Sequence, residues 1–205
     1  MSTKGKYPVM LTGELTVPPG NGWWLIKIFL AIPHLIILPF LWIGFVGATI
    51  IAAFAILFTA KYPKALFEFN IGVLRWSWRV GFYGLHAFGT DKYPPFSLDP
   101  DKKYPADLTI QYPARLSRGL LFVKWWLLVI PHAVIVAIFT AGMGNGLGLI
   151  PVLSICAAFA LLFTGKYPKE IFRLVIGLNR WVFRVIAYAA LMTDAYPPFR
   201  LEDDK

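Results

Sequence analysis

Apolar residues gather in two long blocks set between polar, proline-rich stretches. The first block runs over residues 23–59 and holds one charge, Lys27, and one histidine, His34. The second runs over residues 119–164 and holds Lys124 and His132. A helix that crosses a bilayer takes about 20 apolar residues, so blocks of 37 and 46 residues are each too long for one upright helix. Gly142-Met143-Gly144-Asn145-Gly146 has the composition of a turn and divides the second block into 120–141 and 147–164. The corresponding break in the first block is placed near Gly44 and Gly47. The pattern thus predicts two helical hairpins and four membrane helices, with one long tilted or re-entrant helix as the alternative for the first hairpin. Pro33, Pro39 and Pro131 are expected to kink these helices.

A different pattern follows each block. After Lys61-Tyr62-Pro63-Lys64, the residues Glu68, Gly72, Arg75 and Arg79 recur at offsets of four, seven and eleven, one face of an α-helix. Arg173, Gly177, Arg180 and Arg184 repeat the stripe in the second half, and the other faces are apolar and aromatic, with Trp76 and Trp181 among them. Such helices, over about 65–87 and 170–191, are predicted to lie in the headgroup plane. Arg75, Arg79, Arg180 and Arg184 would meet lipid phosphates or an acidic partner, with Trp76 and Trp181 at the interface.

The chain repeats itself. Residues 54–83 align with 159–188 without gaps and match at 17 of 30 positions; Ile-Pro-His recurs at His34 and His132, and Thr-Asp-x-Tyr-Pro-Pro-Phe at 90–96 and 193–199. Each copy is taken to open with a Tyr-Pro, at Tyr7-Pro8 and Tyr112-Pro113. The units are 1–103 and 104–205, parallel repeats related by an axis along the membrane normal. The opening segment (residues 9–15) and the closing Tyr-Pro-Pro-Phe tail are expected to pair as short extended segments on the cytoplasmic side.

Composition sharpens this picture. With 58% hydrophobic and only 15% charged residues, disorder, a disulfide scaffold and an ordinary soluble enzyme are excluded. The net charge of +9 points to anionic phospholipids, not to nucleic acid. Lys and Arg number two in residues 1–22, nine in 61–118 and seven in 165–205, and the two hairpin turns have none. The positive-inside rule then places both termini in the cytoplasm, in a multi-pass protein of the bacterial inner membrane. The polar start lacks a signal-peptide pattern, so targeting is assigned to the first membrane helix.

Little catalytic chemistry is visible. His34 and His132 are the candidate intramembrane ligands. Each follows a proline and either satisfies the backbone carbonyl which that proline frees or joins its counterpart as an axial ligand to a metal, haem or pigment. Lys27 and Lys124 are expected to snorkel to the interface. Asp99, Asp101 and Asp107 lack the spacing of a calcium loop, and the lone Cys156 reads as a small apolar residue. No catalytic residue, metal site or cofactor is expected.

The Ile-Pro-His, Leu-Phe-Thr-Gly-Lys-Tyr-Pro, Arg-Trp-x-x-Arg-Val and Thr-Asp-x-Tyr-Pro-Pro-Phe motifs resemble a bacterial membrane family, domain of unknown function 4389, in two tandem copies. The resemblance implies a membrane fold and names no activity. The functional expectation is a non-catalytic accessory or scaffolding subunit of a larger membrane complex, beside other membrane protein subunits. The alternative is a small transporter or channel built from the two halves or from an oligomer.

Overall fold

The computed structural model describes residues 7–15, 23–142 and 147–202. The polar start (residues 1–6) and the centre of the glycine-rich turn (residues 143–146) lie outside the described residues. In chain order the elements are β1 (Val9–Gly13), α1 (Trp23–Leu30), α2 (Ile32–Thr59), α3 (Lys64–Tyr83), β2 (Ala106–Ile110), α4 (Arg118–Val123), a π-helical turn (Lys124–Leu128), α5 (Ile130–Thr140), α6 (Leu149–Thr164) and α7 (Lys169–Ala189).

The expected break near Gly44 and Gly47 does not occur. α2 runs unbroken through both glycines for 28 residues, about 42 Å at 1.5 Å per residue. Neither glycine has a neighbouring turn former, and Gly44 packs over the ring of Phe69. α2 is the one helix among the described residues long and apolar enough to cross a membrane. The first hairpin is instead α2 against α3, which run antiparallel. His34 meets Trp76, Trp42 donates to Ser77, and Asn70 donates to Thr49. The prolines also act differently from expectation. Pro33 and Pro131 sit in the first turns of α2 and α5, where the missing N–H is not needed, and so begin helices instead of kinking them.

The second copy carries two insertions. His132 follows His34 by 98 positions and Phe159 follows Phe54 by 105, so seven residues are inserted between them. On either side of the insertion α5 stops at Thr140, and Gly148, just before α6, packs so tightly that a Cβ there would lie 2.4 Å from the Thr140 carbonyl carbon. The chain therefore resumes where it left off, and α5 and α6 together stand for α2. The other insertion is one residue between Lys124 and Pro131, relative to Lys27 and Pro33. The π-helical turn absorbs it.

The sheet joins equivalent strands. β1 pairs antiparallel with β2, with Val9 opposite Ile110, Leu11 opposite Leu108 and Gly13 opposite Ala106. The counterpart of Tyr7-Pro8 is therefore Tyr104-Pro105, which leads into β2, and not Tyr112-Pro113. The closing tails do not join the sheet either. The pairing is symmetric about Leu11 and Leu108, both fully buried. Directly opposed side chains share one face, so the pseudo-twofold axis stands normal to the sheet.

Three layers result. The sheet and the closing segments form the first, α3 and α7 the second, and α2 with α5 and α6 the third. On α3, Phe69, Asn70, Trp76 and Ser77 point to α2, whereas Gly72, Arg75, Trp78 and Arg79 point to the sheet and the 97–108 segment. Strands cross over between copies: β2 packs on α3 and β1 on α7.

Candidate functional site

Each copy builds the same buried cluster around its histidine. Pro33 starts α2 and places His34 one position later, facing the last third of α3. The indole Nε1 of Trp76 donates to Nδ1 of His34 at 3.0 Å, and Trp181 donates to Nδ1 of His132 at 3.1 Å. An accepting Nδ1 puts the ring proton on Nε2, the neutral tautomer. Phe96 stacks on His34 with centroids 4.0 Å apart and planes 18° apart, and Phe199 stacks on His132 at 4.4 Å and 21°. Tyr93 and Tyr196 complete the two clusters. Both histidines are fully buried, and neither Nε2 has a hydrogen-bond partner. The clusters share no residue, so the expected His–His ligand pair is not assembled. Each histidine is held within its own copy.

The Thr-Asp turns hold the two buried lysines. Lys27 Nζ donates to the Thr90 carbonyl at 2.8 Å and pairs with Asp91 at 2.6 Å. Lys124 does the same with Thr193 and Asp194 at 2.8 and 2.6 Å. The ammonium groups also sit over Tyr83 and Tyr188, 5.4 and 4.7 Å from the ring centroids. The lysines do not snorkel, because a carboxylate and a carbonyl supplied by the chain satisfy them inside the fold.

Most of the arginine stripe also turns inward, except Arg173, which is exposed and pairs with Glu170. Arg75 donates to the carbonyls of Leu108 and Leu98 and pairs with Asp107 at 3.0 Å. Arg79 donates to the Asp99 carbonyl at 2.9 Å. In the second copy Arg180 donates to the Leu201 carbonyl, and Arg184 to those of Arg200 and Glu202. Arg75, Arg79 and Arg184 are buried, as are Trp76 and Trp181. The expectation that Arg75, Arg79, Arg184, Trp76 and Trp181 face lipid headgroups is therefore corrected, while Arg180 is half-buried and bonds to the chain's own carbonyl. The guanidinium groups stitch the closing segments onto α3 and α7 by their main-chain carbonyls. Gly72 and Gly177 belong to the stripe because the segments pass so close: a Cβ there would lie 2.6 Å from Leu98 and 2.9 Å from Leu201.

The aspartates singled out from the sequence are engaged as well. Asp107 takes Arg75, the Asp99 carbonyl takes Arg79, and Asp101 accepts from the Lys103 amide. Among the described residues, no group of three or more His, Cys, Asp or Glu side chains is placed to hold a metal ion. Tyr7 and Tyr104 anchor the sheet. Tyr104 donates to the Arg79 carbonyl and Tyr7 to that of Ala195, and burial pushes both phenols well above their ordinary range. The Thr-Asp-x-Tyr-Pro-Pro-Phe motif, expected from the sequence to close each unit as an extended tail beside the opening segment, instead builds these clusters. Its recurrence was the signal: its aspartate neutralises the lysine and its phenylalanine stacks on the histidine.

The family model described as "Domain of unknown function (DUF4389)" matches residues 23–97 and again 121–200. The chain belongs to this family and carries two tandem copies of its domain. No curated protein and no solved structure matches the chain.

Proposed function

We propose that this member of the family is a non-catalytic membrane protein, an accessory or scaffolding subunit of a larger complex in the bacterial cytoplasmic membrane, with both termini on the cytoplasmic side. One observation carries the reading. The buried lysines, arginines and histidines bond to the chain's own groups, while the outer helix layer exposes large apolar side chains along its whole length. Phe40, Ile43 and Phe58 of α2 are 69, 70 and 74% exposed, and Phe163 at the end of α6 is 82% exposed. A soluble monomer rarely shows an apolar patch on this scale. Lipid chains and neighbouring membrane subunits are the partners suited to it, with anionic phospholipids at its basic margin and no role for nucleic acid. The transporter alternative needs a polar path. Two grooves between the copies in the helix layers are lined mainly by apolar side chains such as Phe45, Val46 and Ile186, and Leu35, Leu38 and Val182.

The test is affinity capture of the tagged chain from native membranes solubilised in mild detergent, with the composition of the captured complex read by mass spectrometry. A larger membrane protein recovered in fixed ratio is the expected result. A lone oligomer that conducts solutes when reconstituted in liposomes would overturn the reading.

A further inference from the structure

We infer that the protein lies flat in one leaflet of the membrane, with α2, α5 and α6 among the acyl chains and the sheet in water, and does not cross the bilayer. This rests on the membrane reading above and gives it a geometry.

The layer order is the first argument. The buried stripe of α2 (His34, Leu38, Phe45, Thr49, Ala52, Ile56) faces α3, and Phe40, Ile43, Ile50, Phe54 and Phe58 project on the opposite side. β2 runs beside α3 along its length. Tyr104 bonds the Arg79 carbonyl, Arg75 bonds the Leu108 carbonyl, and Tyr112 bonds the Tyr62 carbonyl. Any bilayer crossed by α2 and α3 would therefore also enclose residues 104–112, with Asp107, exposed Thr109 and Gln111, and the outer edges of a two-stranded sheet. Hydrocarbon does not accept open strand edges. Laid flat, the molecule keeps the whole sheet on the aqueous side.

Charge is the second argument. Exposed Lys92, Lys102 and Lys103 stand at one end of the α2–α3 pair, and exposed Lys61, Lys64 and Arg118 at the other. A spanning orientation would put similar positive clusters on both sides of the membrane, against the cytoplasmic bias of such loops. A flat orientation brings both clusters to the margin of the apolar face, where anionic headgroups lie. Lys61 comes just after Phe58, and Lys166 just after Phe163, at the ends of the apolar run.

Symmetry and thickness agree. The twofold axis normal to the sheet becomes the membrane normal, so both copies meet the same environment. One layer of helices is about 10 Å thick, which fits half of a hydrocarbon core of about 30 Å and the depth of interfacial helices.

Single-cysteine variants of the full chain, on a Cys156→Ala background, test the inference. Lys64→Cys, Lys92→Cys and Ile43→Cys are expressed in bacteria and probed with a membrane-impermeant maleimide in inverted and right-side-out vesicles. Flat seating predicts that Lys64→Cys and Lys92→Cys label in inverted vesicles and are both protected in right-side-out ones. Ile43→Cys labels only after detergent. Labelling of Lys64→Cys and Lys92→Cys from opposite sides overturns flat seating but keeps the membrane reading. A chain that stays in the soluble fraction, with Ile43→Cys labelled without detergent, overturns both.

Discussion

The Trp76–His34 bond offers a quantitative test of how each cluster is held. Trp76→Phe keeps an aromatic ring but removes the N–H that lies 3.0 Å from Nδ1 of a fully buried histidine. The orphaned acceptor costs about 1–3 kcal/mol, and the space left by the smaller ring adds about 1 kcal/mol. His34→Phe orphans the indole N–H in the same way, again at about 1–3 kcal/mol. It also removes an Nε2–H that already lacks a partner, which brings the loss toward the lower end. In the double variant both polar groups are gone, so the summed single losses should exceed the double loss by both orphaning costs together, about 2–6 kcal/mol. The assay is denaturant unfolding in detergent micelles followed by far-ultraviolet circular dichroism, which does not depend on the removed indole. The cycle is repeated at Trp181 and His132, whose bond is 3.1 Å, and should return a coupling of the same size. Additive losses within about 0.5 kcal/mol in both copies would refute the account of a mutually satisfied pair.

Gly72→Ala and Gly177→Ala should each lose about 1–3 kcal/mol by overpacking against Leu98 and Leu201, whereas Gly47→Ala, with open space around its Cβ, should gain about 0.5–1 kcal/mol from helix propensity; unfolding midpoints that rank otherwise would contradict the close passage of the closing segments. Asp194→Ala removes the partner of buried Lys124 and the acceptor of the Ser117 amide at 2.6 Å, and should cost about 1–3 kcal/mol, since the aspartate is itself partly exposed; Lys124→Met in the same chain should restore part of the loss, and no restoration would count against the ion pair. Tyr7 and Tyr104 have raised values in the fold and ordinary ones near 10 when unfolded, so stability is fully present below pH about 10 and falls as pH rises beyond it. Tyr104→Phe should make that alkaline fall shallower, and an unchanged slope in thermal melts from pH 8 to 12 would remove Tyr104 as its cause.

The repeat was legible in the sequence because identity at fixed spacing does not depend on packing. The helices over 64–83 and 169–189 were legible too, from their period. Their environment was not. A stripe of arginines reads as a solvated or headgroup-facing surface unless some other segment supplies carbonyl oxygens, and Leu98, Leu108, Leu201 and Arg200 do so from far along the chain. The hairpin was misplaced for a related reason. Set against the thickness of a bilayer, block length favours a division at Gly44 and Gly47 over the alternative of one long tilted helix, yet α2 runs on for 28 residues. The histidine clusters were half visible: His34 and Trp76 were both singled out, but only the fold brings α2 and α3 antiparallel and so joins them.

The crossed strands determine what half of this chain would be. Each copy's long helix is roofed by the strand of the other: Arg75 reaches the carbonyl of Leu108, and Arg180 that of Leu11. During synthesis, β1 must wait for β2, nearly a hundred residues later, before its edge is closed. A polypeptide with a single copy would emerge with an unpaired strand and without the acceptors that the other copy's strand supplies, Leu108 and Asp107 to Arg75 and Leu11 to Arg180. Two such polypeptides, placed about the axis that here passes between Leu11 and Leu108, would complete each other by exchanging strands. The tandem chain is in this sense a homodimer written as one gene, and its linker, residues 97–105, is the tether that makes the second half always present.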